Sequence, residues 1–408
     1  MIPVEDHLDR ALSAVRPLDP IDVALLDALD CVLAEDVVST ATLPAFDNSA
    51  MDGYAVHLPD VAEASEESPV VLPVVADLAA GAAEAFPLTP GSAVRIMTGA
   101  PVPPRTGAVV PVEWTDGGIA QVRITRAPRP DQNIRRAGED VTPGEVLLTA
   151  GTRLAARHLG LLAAAGHDRV RVRPRPRVVV LSTGSELVEP GRPLGFGQIH
   201  ESNGYALTAA ALDAGAAAVH GGIVRDDPRV LMSTLEDHLG RADLLITTGG
   251  VSMGAYDTVK EVLSQLGTVT FSRVAMQPGM PQGFGTLGPE ATPIFTLPGN
   301  PVSSYVSFEV FVRPVLRKMM GESQLHRPSV TATVTEGWTS VAGKRQFVRV
   351  ELTTDEQGRS VCRPVGGHGS HLVADLAVAN ALAVVPEDTT RVVPGDTVRC
   401  LLLERGRR

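Results

Sequence analysis

The sequence predicts a multidomain protein in which one α/β domain is flanked by β-rich parts, and three observations carry that prediction. At 408 residues the chain exceeds what a single core holds. Between residues 177 and 320, strand-like apolar runs alternate with helical stretches, the rhythm of a parallel sheet covered by helices on both faces, that is, doubly wound. On either side, over about 41–147 and from 328 onward, short β-like runs alternate with Pro- and Gly-rich loops.

Taken in order, residues 4–15 place Leu8, Leu12 and Val15 on one helical face, and a second helix is expected over 22–34. Acidic residues near each start, Glu5 and Asp6 and then Asp22, suit the helix dipole. Strands follow at Val70–Val75, Ala93–Met97, Ala108–Trp114 and Ile119–Thr125, then a helix at Ala155–Ala165 and a strand at Arg169–Val172. Pro174 and Pro176 mark a boundary. The α/β segment offers strands at Val178–Leu181, Ala217–Val224, Leu244–Thr247, Val269–Val274 and Ile294–Thr296, with helices at 203–214, 229–240 and 256–266. A long helix over about 302–320 is expected to kink at Pro314. The C-terminal strands Val330–Thr335, Phe347–Leu352, Val361–Val365, Ala381–Val385 and Val398–Leu403 fit a small barrel or a sandwich.

Composition narrows the function. A net charge of −11 disfavours nonspecific nucleic-acid binding, which needs concentrated basic surface. Cys31, Cys362 and Cys400 are far apart and in no CxxC spacing, as expected of thiols in a reducing compartment. The start of the chain lacks a signal-peptide pattern, and no run approaches the ~18 apolar residues of a membrane span. These features predict a cytoplasmic protein without a membrane partner.

Three strand ends of the α/β segment carry small, hydroxyl-rich loops. They are Ser182-Thr183-Gly-Ser-Glu186, Thr247-Thr-Gly249-Gly250-Val-Ser252-Met-Gly-Ala-Tyr-Asp257 and Leu297-Pro298-Gly-Asn300-Pro301. In a doubly wound sheet such ends converge on one crevice. Glycines allow the backbone to curl its N–H groups toward an anion, and a carboxylate beside bound phosphate implies a divalent cation between them. Asp257 is the first candidate for that cation. Of Asp226 and Asp227, one is expected to cap the next helix and the other to share Mg²⁺ with Asp257. In the first β-rich segment, Asp47 to Gly53, Thr98 and the arginines Arg135 and Arg136 crowd polar loops, the arginines offering planar forks for oxyanions. His368 and His371 lie three apart without further metal-ligand partners, and they read as surface-loop histidines. No GxSxG elbow or GxxxxGK[ST] loop occurs.

The motifs FDNSAMDGYA (46–55), IMTGAP (96–101), IRRAGED (134–140), LSTGSEL (181–187), TTGGVSMGAYD (247–257), LPGNPVSS (297–304) and GSHL (369–372) appear in that order. The chain thereby resembles the MoeA-type molybdopterin molybdenumtransferases, whose eukaryotic relatives include the gephyrin E domain. The resemblance implies four parts: an N-terminal domain from 1–40 and 146–176, an inserted β-rich domain at 41–145, a MogA-like α/β domain at 177–325 that holds molybdopterin, and a C-terminal β-barrel at 326–408. It implies insertion of molybdenum from molybdate into adenylylated molybdopterin, with AMP released in a Mg²⁺-dependent hydrolysis. It also implies a homodimer whose site is shared between two chains, and hand-over of substrate from a molybdopterin adenylyltransferase. By the same resemblance Asp52, Thr98, Arg135 and Asp140 approach from the second chain, Glu186, Asp226 or Asp227, and Asp257 are the acidic positions, and Arg349 and Ser370 hold molybdate. One departure stands out. Where many members carry Lys-Pro-Gly-Lys, this chain reads Gln277-Pro-Gly-Met280, and arginines are expected to compensate for the two missing cations. An adenylyltransferase acting on molybdopterin resembles the α/β segment alone, and a gephyrin-like scaffold is a third reading. The flanking β-rich segments disfavour the first and the lack of a long linker the second.

Overall fold

The computed structural model describes residues 1–81, 86–251 and 258–403. Two compact units emerge, one from residues 23–29 and 35–170, the other from 1–22, 30–34 and 171–408. In the first, strands β1 (Gly53–Val56), β2 (Val70–Leu78), β3 (Ala93–Ile96), β4 (Ala108–Pro111) and β5 (Gln121–Ile124) form a sheet in the order β4-β1-β3-β2-β5. Alternate residues face two cores. Tyr54, Val56 and Val110 enter one, Ala55, Val94 and Val109 the other. Gly53 is forced by close approach, since a Cβ there would lie 2.0 Å from the Val110 carbonyl oxygen.

In the second unit, β6 (Arg177–Thr183), β7 (Ala217–Val224), β8 (Leu244–Thr248), β9 (Val269–Arg273), β10 (Pro281–Leu287) and β11 (Thr292–Leu297) build the larger sheet in the order β7-β6-β8-β11-β10-β9. The first four are parallel. Successive residues of β6 and β8 alternate between faces. Val178, Val180, Leu244 and Ile246 pack with helix Asn203–Ala214 and the segment 301–319, while Val179, Leu181 and Leu245 pack with helices Pro228–Leu239 and Thr258–Gln265. The sheet is doubly wound.

Its edge differs from the all-parallel reading. β10 runs antiparallel to both β11 and β9. Its sequence, Pro281-Gln-Gly-Phe-Gly-Thr-Leu287, has the glycines that ordinarily break strands. They are needed because a Cβ on Gly283 would lie 1.8 Å from Thr296 Oγ1 and one on Gly285 2.1 Å from the Thr268 carbonyl oxygen. One further expectation fails locally. The stretch 22–34 is a turn between strands Ile21–Ala24 and Val32–Leu33, with Asp30 at φ 65° and Leu26, which helical spacing would bury, 84% exposed. The helix at 301–319 relaxes into a π-turn over Phe308–Val312 just before Pro314, which makes room for a ring that would otherwise meet the preceding turn.

Five strands close a barrel at the C-terminal end: β12 (Ser329–Val334), β13 (Arg345–Thr354), β14 (Ser360–Pro364), β15 (Ala381–Val385) and β16 (Thr397–Leu402). Pairing runs from β12 to β14, β13, β15, β16 and back to β12, so no edge is left among the five. This decides barrel over sandwich. Cys362 and Cys400 lie in its core as free thiols. Near the start of the chain, helix Val4–Ser13 buries His7 edge-on to Phe311, ring centroids 4.7 Å apart. Neither ring nitrogen of His7 has a hydrogen-bond partner, and burial pushes its pKa down to about 4.

Candidate functional site

The carboxyl ends of β6, β8 and β11 open onto a cavity of about 700 Å³. Nine of the expected residues line it: Ser182 and Thr183 at the end of β6 and Glu186 beyond it, Gly249 and Gly250 after β8, Pro298, Asn300 and Pro301 after β11, and Asp226 after β7. Ser252 and Asp257 lie outside the described residues.

The two glycines after β8 permit close packing of the loops. The Gly249 N–H donates to the Leu297 carbonyl (3.1 Å) and so is not presented to a ligand. Gly249 and Gly250 adopt φ of 95° and 63°, and Cβ atoms there would come within 2.4 Å of the Thr183 carbonyl oxygen and 2.6 Å of Val259 Cγ2. They allow the loops to pack close together. Asn203 then ties two of the loops, donating from Nδ2 to Thr248 Oγ1 (3.0 Å) and to the Gly299 carbonyl (2.7 Å).

The aspartate pair divides its work. Asp227 Oδ1 accepts from the N–H groups of Arg229 (2.8 Å) and Val230 (3.2 Å), which makes it the N-cap of helix Pro228–Leu239, and it is not among the residues lining the cavity. Asp226 faces the cavity with Oδ2 bonded to the Ser185 N–H (2.9 Å).

Sequence reasoning missed Glu201. Only 2% exposed, it accepts from Ser182 Oγ (2.8 Å) and the Gly204 N–H (2.6 Å) through Oε1, while Oε2 sits 3.5 Å from His220 Nε2. The Glu-Ser-Asn run just before a helical pattern is the available signal, a capping arrangement that also aims Ser182.

The barrel contributes the last wall. His371 and Val373 line the cavity, and they belong to a loop that the Arg349 guanidinium clamps. Arg349 donates to the carbonyls of Gly369 (3.2 Å), Leu372 (3.2 Å) and Gly367. The Ser370 carbonyl in turn accepts from the Val302 N–H (3.0 Å). On the other side of this loop lies a second cavity of about 340 Å³, lined by Arg349, Gln277, Trp338, Gln346 and His368 among others. Ser370 lines neither cavity, and the structure shows its carbonyl rather than its hydroxyl at work. Burial pushes the Arg349 guanidinium below its ordinary pKa, with Asp375 opposing.

The altered turn is asymmetric. Gln277 lines the smaller cavity, whereas Met280 lines neither and its sulfur lies 3.6 Å from Arg273 Nη2. A guanidinium therefore stands beside one of the two missing cations.

The remaining candidates belong to the other compact unit. Asp52 Oδ1 accepts from the Thr98 N–H (2.7 Å) and hydroxyl (2.8 Å), and these bonds hold its carboxyl below the usual range. Arg136 is committed to Asp47 and Asp131, whereas Arg135, exposed on the strand paired with Asn48–Ser49, has no side-chain partner among the described residues. Asp140 is exposed, and its N–H donates to the Leu43 carbonyl (3.0 Å).

Three family models match in order: the MoeA N-terminal region (domain I and II) over residues 2–166, a probable molybdopterin binding domain over 179–318, and the MoeA C-terminal region (domain IV) over 331–403. Together with the cavity, they define an enzyme of molybdenum cofactor biosynthesis. Molybdopterin molybdenumtransferase 2 of Mycobacterium tuberculosis is 48% identical over 398 residues, 96% of this chain and 97% of its own length. The Bacillus subtilis molybdopterin molybdenumtransferase is 36% identical over 98% of this chain and 94% of its own. Two solved MoeA structures from Pyrococcus horikoshii, 31% and 30% identical, superpose at TM-scores of 0.83 and 0.77 over 100% and 98% of this chain, and over 100% of each of theirs. The chain belongs to the MoeA family of molybdopterin molybdenumtransferases. Among the described residues no helix is long and apolar enough to cross a membrane.

Proposed function

We propose that the protein binds adenylylated molybdopterin in the larger cavity and molybdate beside Arg349, releases AMP, and inserts molybdenum into the dithiolene. The observation that carries this reading is the single loop at 366–373, held by Arg349, which separates an acidic cavity at a parallel-sheet edge from a second cavity that contains a guanidinium. The second cavity pairs that guanidinium with a single carboxylate, Glu336, and a planar guanidinium fork suits a tetraoxoanion.

The larger cavity fits a divalent cation. Asp226 keeps Oδ1 available while Oδ2 takes the Ser185 N–H. A hard ion such as Mg²⁺ takes one or two carboxylates and completes its shell with phosphate oxygens and water. Asp226 and Asp257 would hold it, and the bound ion would offset phosphate charge. Among the described residues there is no cluster of three or more ligating side chains.

The chain's own groups then act as follows. Ser182, aimed by Glu201, and the loops tied by Asn203 orient the nucleotide. Glu186 has no side-chain hydrogen-bond partner among the described residues and is the base that takes a proton from the attacking water. Water adds at phosphorus, the bridging P–O bond breaks, and AMP leaves with the bonding pair. Asp52, Thr98, Arg135 and Asp140 act from a second copy in a cytoplasmic homodimer that receives its substrate from a molybdopterin adenylyltransferase.

The test is incubation of the purified protein with adenylylated molybdopterin, Mg²⁺ and molybdate, with AMP quantified and mature cofactor assayed in an apo-molybdoenzyme. AMP release coupled to active cofactor is expected. Turnover of ATP and free molybdopterin instead would establish the adenylyltransferase reading.

A further inference from the structure

The larger cavity presents a charge problem. Among the described residues that line it, three are carboxylates (Glu186, Glu201 and Asp226) and none is Lys or Arg. Three backbone donors of its loops are already committed, the N–H groups of Gly184, Ser185 and Gly249 being bonded to the Val224 carbonyl, Asp226 and the Leu297 carbonyl. The nitrogen-bearing rings are His200 and His371. His200 Nε2 lies 2.9 Å from the Arg192 carbonyl and is spent on it. His371 has no hydrogen-bond or ion-pair partner among the described residues.

The loop around His371 is held from two sides. Arg349 donates to three of its carbonyls, and the Val302 N–H donates to the Ser370 carbonyl immediately before the histidine. His371 is exposed, so its imidazole is open to a ligand, and it places a ring N–H where the described lining has no Lys or Arg.

We propose that His371 is a substrate-contacting residue whose imidazole N–H donates to an anionic phosphate oxygen of the nucleotide bound in the larger cavity. The proposal rests on reading that cavity as the nucleotide site. It also places a barrel residue in direct contact with a ligand bound to the α/β sheet.

The experiment measures AMP binding to the full chain by calorimetry in Mg²⁺, for wild type, His371→Ala and His371→Gln, alongside thermal unfolding. Loss of one charge-assisted hydrogen bond should weaken AMP binding by about tenfold in His371→Ala, with unfolding unchanged. His371→Gln, which keeps a donor, should recover most of that loss. In turnover, His371→Ala should raise KM more than it lowers kcat. Equal AMP affinity in wild type and His371→Ala would overturn the contact while leaving the cavity assignment intact. A wild-type protein that fails to bind AMP would overturn both.

Discussion

The two cavities share a wall and differ in almost everything else. The larger is lined by three carboxylates and no Lys or Arg among its described residues, and the smaller holds the Arg349 guanidinium and one carboxylate, Glu336, with two glutamines and an indole. The difference teaches how one site handles two anions of different character. A phosphoanhydride can bring a divalent ion with it, so carboxylates are an asset. A tetraoxoanion that must later be transferred is better met by hydrogen-bond donors and a single guanidinium, which hold it without fixing it.

Arg349 is where the comparison breaks most easily, because one side chain belongs to the smaller cavity and braces the loop of the larger. It is 5% exposed and donates to three carbonyls. Arg349→Ala should cost about 3–4 kcal/mol of stability, since buried carbonyls lose a charged donor. It should also weaken both AMP and molybdate binding. Calorimetry with each ligand separates this from a variant that harms only one cavity, and a loss confined to molybdate would show that the loop stands without the clamp.

Acid provides a control on any such measurement. His7 lies far from both cavities in sequence and is buried with a pKa of about 4 against an ordinary 6.5. The folded state therefore binds fewer protons than the unfolded chain between those values. Its contribution is fully present above pH 6.5 and is lost as pH falls toward 4, about 3 kcal/mol in all. Thermal unfolding across that range should show the loss, and His7→Leu should flatten it. Weakening shared by both ligands in acid then reports the fold rather than either site.

Much of this was legible from residues alone. The doubly wound sheet followed from the β and α rhythm, and the three loops of the larger cavity from their position at strand ends. What stayed hidden was contact between distant parts. β10 was obscured by Gly283 and Gly285, whose value lies in what their neighbours need rather than in their own propensity. Glu201 looked like an ordinary polar residue because its partners, Ser182 and His220, are separated from it by 19 residues on either side. His371 read as a surface-loop histidine and is one, but nothing local reveals that its loop lines the cavity at the sheet's carboxyl edge. Asp226 and Asp227 could not be told apart, since capping geometry alone distinguishes them.

The comparison is sharpened by a change confined to the larger cavity. Asp226→Asn keeps an acceptor for the Ser185 N–H and removes only the charge. AMP release should fall about a hundredfold as the phosphate loses its metal-linked neutralisation, while molybdate affinity stays at the wild-type value. A parallel fall in molybdate affinity would mean that the two cavities are one electrostatic site.

The smallest effects come from the altered turn, and there the two positions should behave differently. Gln277 lines the smaller cavity, so Gln277→Lys adds a cation where molybdate is proposed to bind and should tighten it by about tenfold at low ionic strength, less in salt. Met280 lines neither cavity, and its sulfur already lies 3.6 Å from Arg273 Nη2. A lysine there would face an existing guanidinium, and Met280→Lys should change molybdate affinity by less than about threefold. Pairing it with Arg273→Met, which removes the neighbouring charge, should recover the wild-type affinity if the guanidinium stands in for the missing lysine. Equal gains from lysine at both positions would instead show that the turn presents both side chains to the anion, and the asymmetry between Gln277 and Met280 would carry no functional weight.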